Sequence, residues 1–191
     1  MKRRISTILL LFFFCITMII PFQALAATTF PDIKGHWARD YINQLCDQGY
    51  IKGYPDGSFK PDRNMSKAEF TSALITCLGV TADDSTGVYF SDISHHWAKA
   101  FINEAAKRGI LVPSEYPNGL QPDYSIKRSE ACAMLVRAMG KSPGKGIPTF
   151  KDQDNLEKSI YCGYIKTACD LGIMSGFPDG NFKPFSYMTR A

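Results

Sequence analysis

Several catalytic signatures are missing from this 191-residue chain. It has no Gly-x-Ser-x-Gly elbow and no His-Glu-x-x-His pair, so serine-hydrolase and zinc-protease chemistry have no local framework. There is no Cys-x-x-Cys pair, and no His stands at ligand spacing from a Cys, which leaves structural zinc and dithiol redox sites without a motif. The loops holding Asp56 and Asp179 lack the alternating acids of an EF-hand, so neither calcium nor any other metal or cofactor is expected. Basic residues are not clustered, which argues against nucleic acid as a partner. The acids fall mainly in turns, caps and helix surfaces rather than as a glycosidase pair, so the chain is not expected to be an enzyme.

One long apolar run is present, residues 5–20, behind Lys2, Arg3 and Arg4 and ahead of Ala24-Leu25-Ala26. A basic start, an apolar stretch and a small-x-small site make residues 1–26 a signal peptide, with the mature chain starting at Ala27. The alternative, an uncleaved anchor, sits near the lower length limit for a span. No Leu-x-x-Cys lipobox surrounds Cys15. After cleavage no membrane association is expected. Cleavage removes three cations and no acid, so 22 basic against 18 acidic residues becomes 19 against 18. Five cysteines remain, namely Cys46, Cys77, Cys132, Cys162 and Cys169. Most lie at apolar helix positions, where a thiol packs as a small hydrophobe, and buried thiols are favoured over a disulfide framework.

A threefold internal repeat dominates the rest. Gly53-Tyr54-Pro55-Asp56-Gly57-Ser58-Phe59-Lys60-Pro61 returns as Gly176-Phe177-Pro178-Asp179-Gly180-Asn181-Phe182-Lys183-Pro184, with a looser copy at Tyr116-Pro117-Asn118-Gly119-Leu120-Gln121-Pro122. Pro followed by Asp-Gly or Asn-Gly spells a tight turn. Ser66, Lys127 and Thr189 each follow seven residues after Phe59, Leu120 and Phe182. Ahead of the turns, Phe30-Pro31-Asp32 with His36-Trp37-Ala38 recurs sixty residues on as Phe90-Ser91-Asp92 with His96-Trp97-Ala98. Apolar residues at helical spacing predict two helices per unit. The first carries Tyr41, Ile42 and Leu45, or Phe101, Ile102 and Ala105, or Tyr164, Ile165 and Ala168. The second carries Phe70, Leu74 and Cys77, or Ala131, Leu135 and Ala138. Unit two has two extra residues before Tyr116, and unit three has three before its first helix. Unit three stops at Thr189-Arg190-Ala191, and an incomplete chain or truncated gene product is expected.

These motifs resemble the S-layer homology (SLH) domain in three copies over residues 30–191. The expected units are 27–80, 89–141 and a truncated 149–191. The resemblance implies an all-α fold of three helix-loop-helix repeats in a pseudo-threefold spindle, with the first helices gathered in a central three-helix bundle. It implies non-covalent anchoring to the bacterial cell wall, through grooves between repeats that bind a secondary cell-wall polysaccharide carrying pyruvyl ketals. It further implies a secreted, wall-bound location, alone or as the anchoring part of a larger S-layer protein or extracellular hydrolase. Oligomeric state stays open.

The residues offer an independent argument for an anion site. Lys67, Arg128 and Arg190 each stand at a helix start, where the dipole disfavours a cation. A bound carboxylate would compensate by meeting both the side chain and the free N–H groups; solvated surface cations are the alternative. Glu69 and Glu130 read mainly as helix caps, with Ser66 and Glu69 forming a capping box and Lys127 leaving the second box incomplete. Trp37 and Trp97 could stack on a sugar, but core packing is the first expectation. Asp32, Asp92 and Asp152 are expected to brace the entry of each unit, with ligand contact an option. Lys67 lacks the two-pronged fork of an Arg, Ile160 stands near the position of the two Trp residues, and Arg128 is ranked as the best-preserved basic site on a complete helix.

Overall fold

The computed structural model describes residues 29–83 and 87–191; residues 1–26, expected to be a signal peptide, lie outside them. Six α-helices are present among the described residues, α1 (Arg39–Asp47), α2 (Lys67–Cys77), α3 (Lys99–Lys107), α4 (Arg128–Ala138), α5 (Gln153–Glu157) and α6 (Cys162–Asp170). Short 3-10 turns and isolated bridges, and no strands among the described residues, accompany them, so the fold is all-α. None of these helices is long and apolar enough to cross a membrane.

Each unit enters on a bend, a 3-10 turn at Pro31–Ile33 and at Ser91–Ile93 and the short α5 in unit three. An Asp at each entry clamps the later turn of its own unit. Asp32 accepts from the N–H groups of Phe59 (3.0 Å) and Lys60 (2.6 Å). Asp92 accepts from Leu120 (3.1 Å) and Gln121 (2.6 Å), and Asp152 from Phe182 (2.9 Å) and Lys183 (2.8 Å). Lys60, Gln121 and Lys183 have φ of 58°, 55° and 59°. That left-handed conformation costs a residue with a Cβ, and the two carboxylate bonds per unit hold it. The preceding Phe59, Leu120 and Phe182 are fully buried.

The units are joined in a closed ring. The N–H of Met65 donates to the carbonyl of Met188 (2.8 Å), Met188 to Ile126 (3.0 Å), and Ile126 back to Met65 (2.9 Å). In that ring each unit donates to the one before it; close by, the donation runs the other way, each unit to the one after it: Lys67 to Tyr124 (2.9 Å), Arg128 to Ser186 (2.8 Å) and Arg190 to Arg63 (3.0 Å).

The principal helix packings are α2 on α3 and α4 on α6. In both, a second helix lies on the first helix of the following unit. The expected gathering of first helices is not among these principal packings. Along α1 only Ile42 is buried, whereas α4, a second helix, buries seven of its eleven residues. Its Ser129, Ala131 and Ala133 are small enough for neighbours to approach on several sides. Three apolar clusters result. Ala68 and Ile75 pack with Ile102, Ala105 and Ile126; Cys132 and Val136 with Ile165, Ala168 and Phe182; and Phe30, Ile33 and Ile42 with Phe59. All five cysteines are free. Cys132 is buried and Cys77 exposed, so burial of the thiols holds at some positions and fails at Cys77.

Candidate functional site

The three basic residues occupy equivalent junctions between units. Lys67 and Arg128 take the first positions of α2 and α4. No helix is assigned at Arg190. None of the three is a solvated surface cation, because each crosses to the turn of the next unit and bonds the equivalent carbonyl. The Lys67 Nζ donates to Leu120 O (2.8 Å), the Arg128 Nε to Phe182 O (3.0 Å), and the Arg190 Nε to Phe59 O (2.9 Å). Each guanidinium has a second carbonyl as well. Arg128 Nη2 donates to Ser175 O (3.0 Å) and Arg190 Nη2 to Lys52 O (2.8 Å).

An aromatic ring lies against each cation. Lys67 Nζ is 5.2 Å from the Tyr116 ring, the Arg128 guanidinium 4.5 Å from Phe177, and the Arg190 guanidinium 4.7 Å from Tyr54. These rings hold one repeat position, just before the turn proline. Their cation contacts were missed in the sequence, where the segment reads only as a turn. The signal was there, since that position is aromatic in all three copies.

The junctions differ in their acids. At Arg190, Glu69 lies 3.4 Å from Nη1, accepts from the Tyr54 hydroxyl (2.9 Å) and also pairs with Arg63. Its capping box is complete: Ser66 N–H donates to the carboxylate (2.8 Å) and Glu69 N–H to the Ser66 hydroxyl (3.1 Å). Burial alone would push the Glu69 carboxyl up. The Ser66 and Tyr54 hydrogen bonds, with the charges of Arg63 and Arg190, outweigh it and hold the group below its ordinary range. At Lys67, Glu130 is 3.7 Å away and accepts the Lys127 N–H (2.9 Å), the carboxylate half of a box. At Arg128 no carboxylate lies within ion-pair distance among the described residues, and burial draws its pKa down, though it stays cationic.

Two open cavities collect the groups around Arg190 and Lys67, and Arg128 lines neither. One of about 600 Å³ is lined by Arg190, Glu69, Tyr54, Trp97 and Phe101. The other, about 310 Å³, is lined by Lys67, Glu130, Tyr116, Lys127, Ile160 and Tyr161. In each, the cation, the acid and the Trp-position residue come from three successive units around the ring. Asp32 and Asp92 are not brought together with these groups in either cavity lining; their carboxylates are spent on the turns. Trp37 and Trp97 overturn the core expectation, being 73% and 60% exposed. Each follows a His whose Nδ1 accepts the Ala38 or Ala98 N–H (3.1 Å), and that local bend turns the indole outward. Among the described residues, no group of three or more His, Cys, Asp or Glu is placed to hold a metal ion.

Comparison with known proteins places the chain. The sequence model of the S-layer homology domain matches residues 29–71, 89–132 and 149–191. The chain is 35% identical to Cell surface glycoprotein 1 of Acetivibrio thermocellus over 75% of its length, covering 7% of that protein. It is 32% identical to an amylopullulanase of Thermoanaerobacterium thermosulfurigenes over 85% of its length and 9% of the relative's. It is 30% identical to the S-layer protein sap of Bacillus anthracis over 88% of its length and 20% of the relative's. It therefore spans a minor part of these curated relatives, and it belongs to the S-layer homology domain family.

Proposed function

We propose that this chain is a non-catalytic, secreted anchoring module that holds to the bacterial cell wall by binding an acidic secondary polysaccharide in its inter-unit grooves. The groups recognised are pyruvyl ketal carboxylates. The three units are residues 27–80, 89–141 and 149–191, and the binding residues are Lys67, Arg128, Arg190, Glu69 and Glu130 with Trp37 and Trp97. The single observation behind this reading is Arg128, a half-buried cation at the start of α4, set against Phe177 and Phe182 with no carboxylate at ion-pair distance among the described residues. The start of α4 spends its N–H groups on Ser186, Pro184 and Glu130, so the planar guanidinium itself is the group that suits a carboxylate. Exposed Trp97 beside the Arg190 cavity supplies a flat apolar face for a sugar ring. Asp32 and Asp92 support the site by shaping the turns.

The test is co-sedimentation of the full chain with purified wall sacculi, with and without pyruvyl groups. Binding is expected only to the pyruvylated walls. Arg128→Ala is expected to weaken it by about tenfold or more, the worth of one charge-assisted contact, and by more than Lys67→Ala. Arg128→Lys keeps the charge, loses the fork and is expected to fall between. Equal binding to both kinds of wall refutes ketal recognition.

A second reading is favoured by the coverage of the relatives. An amylopullulanase and a sap S-layer protein both contain a segment like this one as a small fraction of their length. In that reading the chain is the anchoring part of a larger S-layer protein or extracellular hydrolase, and the genomic reading frame around it decides.

A further inference from the structure

Three positions change together between the units. Units one and two have His36-Trp37 and His96-Trp97 before the first helix, with Asp62 and Asp123 three residues after the buried Phe59 and Leu120. Unit three has Ser159-Ile160 and, three residues after Phe182, Phe185. The backbone does not need the change. Ser159 Oγ accepts the Tyr161 N–H (3.3 Å) where His36 and His96 Nδ1 accept those of Ala38 and Ala98. The first N–H of each helix, from Arg39, Lys99 and Cys162, bonds the His or Ser carbonyl at 3.1, 3.0 and 3.1 Å. Ile160 is 73% exposed, as Trp37 is. A hydroxyl is therefore enough to make the bend and turn the next side chain outward. The imidazole adds two contacts. With Nδ1 accepting an N–H, the ring proton sits on Nε2, and Nε2 faces Asp62 Oδ1 (3.3 Å) and Asp123 Oδ1 (3.1 Å). The ring also lies beside the indole, with centroids 5.6 and 5.5 Å apart and planes 35° and 37° apart.

We propose that His36 with Asp62, and His96 with Asp123, are positioning pairs that hold the indoles of Trp37 and Trp97 in place for stacking on a sugar ring. This rests on the polysaccharide reading above. An exposed side chain with nothing beside it changes rotamer in picoseconds to nanoseconds, and each binding event would have to freeze it. The carboxylate fixes the imidazole, and the imidazole limits the indole before any ligand arrives. His and Asp are present in the two units that have a Trp to hold, and both are replaced in the unit that has none. The exchange also falls where the grooves differ. Trp97 lines the Arg190 cavity, whereas Ser159, Ile160 and Phe185 line the Lys67 cavity. The Lys67 groove thus has neither the indole nor the pair that supports it.

The chain has two Trp residues, so Trp37→Phe leaves Trp97 as the single indole, and time-resolved fluorescence anisotropy of the full chain then reports its motion. Slow tumbling of the whole molecule is expected to dominate the decay. His96→Ser is expected to add a fast local component while the melting temperature is kept, since Ser159 fills that position in unit three. Asp123→Ala is expected to add the fast component too, and Asp123→Asn, which keeps an acceptor, to suppress it. In chains that retain Trp37, binding to pyruvylated sacculi is expected to fall about threefold or more with His96→Ser, the cost of freezing one side chain. With Trp97→Ile already in place, His96→Ser is expected to cost nothing further. A decay indifferent to His96→Ser and Asp123→Ala overturns the proposal. So does binding that does not fall when the indole is freed, or that falls equally with Trp97→Ile in place. If the parent chain binds no wall, the polysaccharide reading fails, and the anisotropy still decides whether the pairs hold the indoles.

Discussion

A cation at the first position of a helix looks unfavourable until its side chain is followed. Lys67, Arg128 and Arg190 each leave their own unit and bond a carbonyl of the next, so at the two helix starts, Lys67 and Arg128, the dipole penalty of a few tenths of a kcal/mol is set against a charge-assisted hydrogen bond of about 1.5–3 kcal/mol. Glu69 gathers four partners, Tyr54, Ser66, Arg63 and Arg190, around one carboxylate. Its pKa is lowered in the folded chain, so the unfolded chain binds the proton more readily. The stabilisation is therefore complete above the unfolded pKa of about 4.5 and is lost as pH falls through the lower folded value. Urea denaturation should show Glu69→Gln less stable than the parent at pH 7, with the gap narrowing below about pH 4.5. A gap independent of pH would remove the carboxylate charge from the account. Glycines carry the other residue-scale constraint. A Cβ at Gly53 or Gly176 would sit 2.1 or 2.4 Å from the ring of Phe30 or Phe150. In unit two that position is Glu115, and Phe90 there packs edge-on against Tyr116 at 5.8 Å, while Phe30 and Phe150 tilt onto Phe59 and Phe182.

At the scale of elements, the extra residues of units two and three become interface. The extra pair in unit two lies by a short 3-10 turn, Pro113–Glu115, whose Glu115 pairs with Arg137 of α4. The guanidinium of Arg137 also lies 4.4 Å from the Tyr164 ring of α6. The extension in unit three becomes α5, which buries Leu156. Neither device exists in unit one, where α1 is left open. The equivalent positions of α1 and α3 should accordingly respond differently to one substitution. Ala105→Asp places an unpaired charge under α2 and is expected to cost more than about 3 kcal/mol, while Leu45→Asp on open α1 is expected to cost less than about 1 kcal/mol. Equal losses in denaturant titrations would show that α1 is not open.

For the whole molecule, the ring of Met65, Ile126 and Met188 makes the three units one cooperative body, because each unit is bonded to both neighbours and opening any one unit breaks two of the three bonds. In native-state hydrogen exchange these three amides should share a single protection factor, set by global unfolding. Markedly faster exchange at Met188 would mean that unit three opens alone. The grooves are properties of this ring. The cavity around Arg190 takes its cation from unit three, its acid from unit one and its Trp from unit two, so no unit makes a groove by itself.

Repetition, turn chemistry and helix periodicity are local, and the sequence alone determined them: the helix starts after Ser66 and Lys127, the buried residues leaving the turns, and the three cations. The capping box at Ser66 and Glu69 was legible too, since its partners lie three residues apart; a bracing role for Asp32, Asp92 and Asp152 was expected at the entry of each unit, and their partners in the later turn came only from the structure. The direction in which a side chain leaves its helix depends on what stands opposite, and only the tertiary structure decided that. It turned Trp37 and Trp97 outward, put second helices rather than first helices in the main packings, and set Tyr54, Tyr116 and Phe177 against the cations. Arg190 and Phe59 are 131 residues apart; no local pattern links them, and the closing of the ring makes them neighbours.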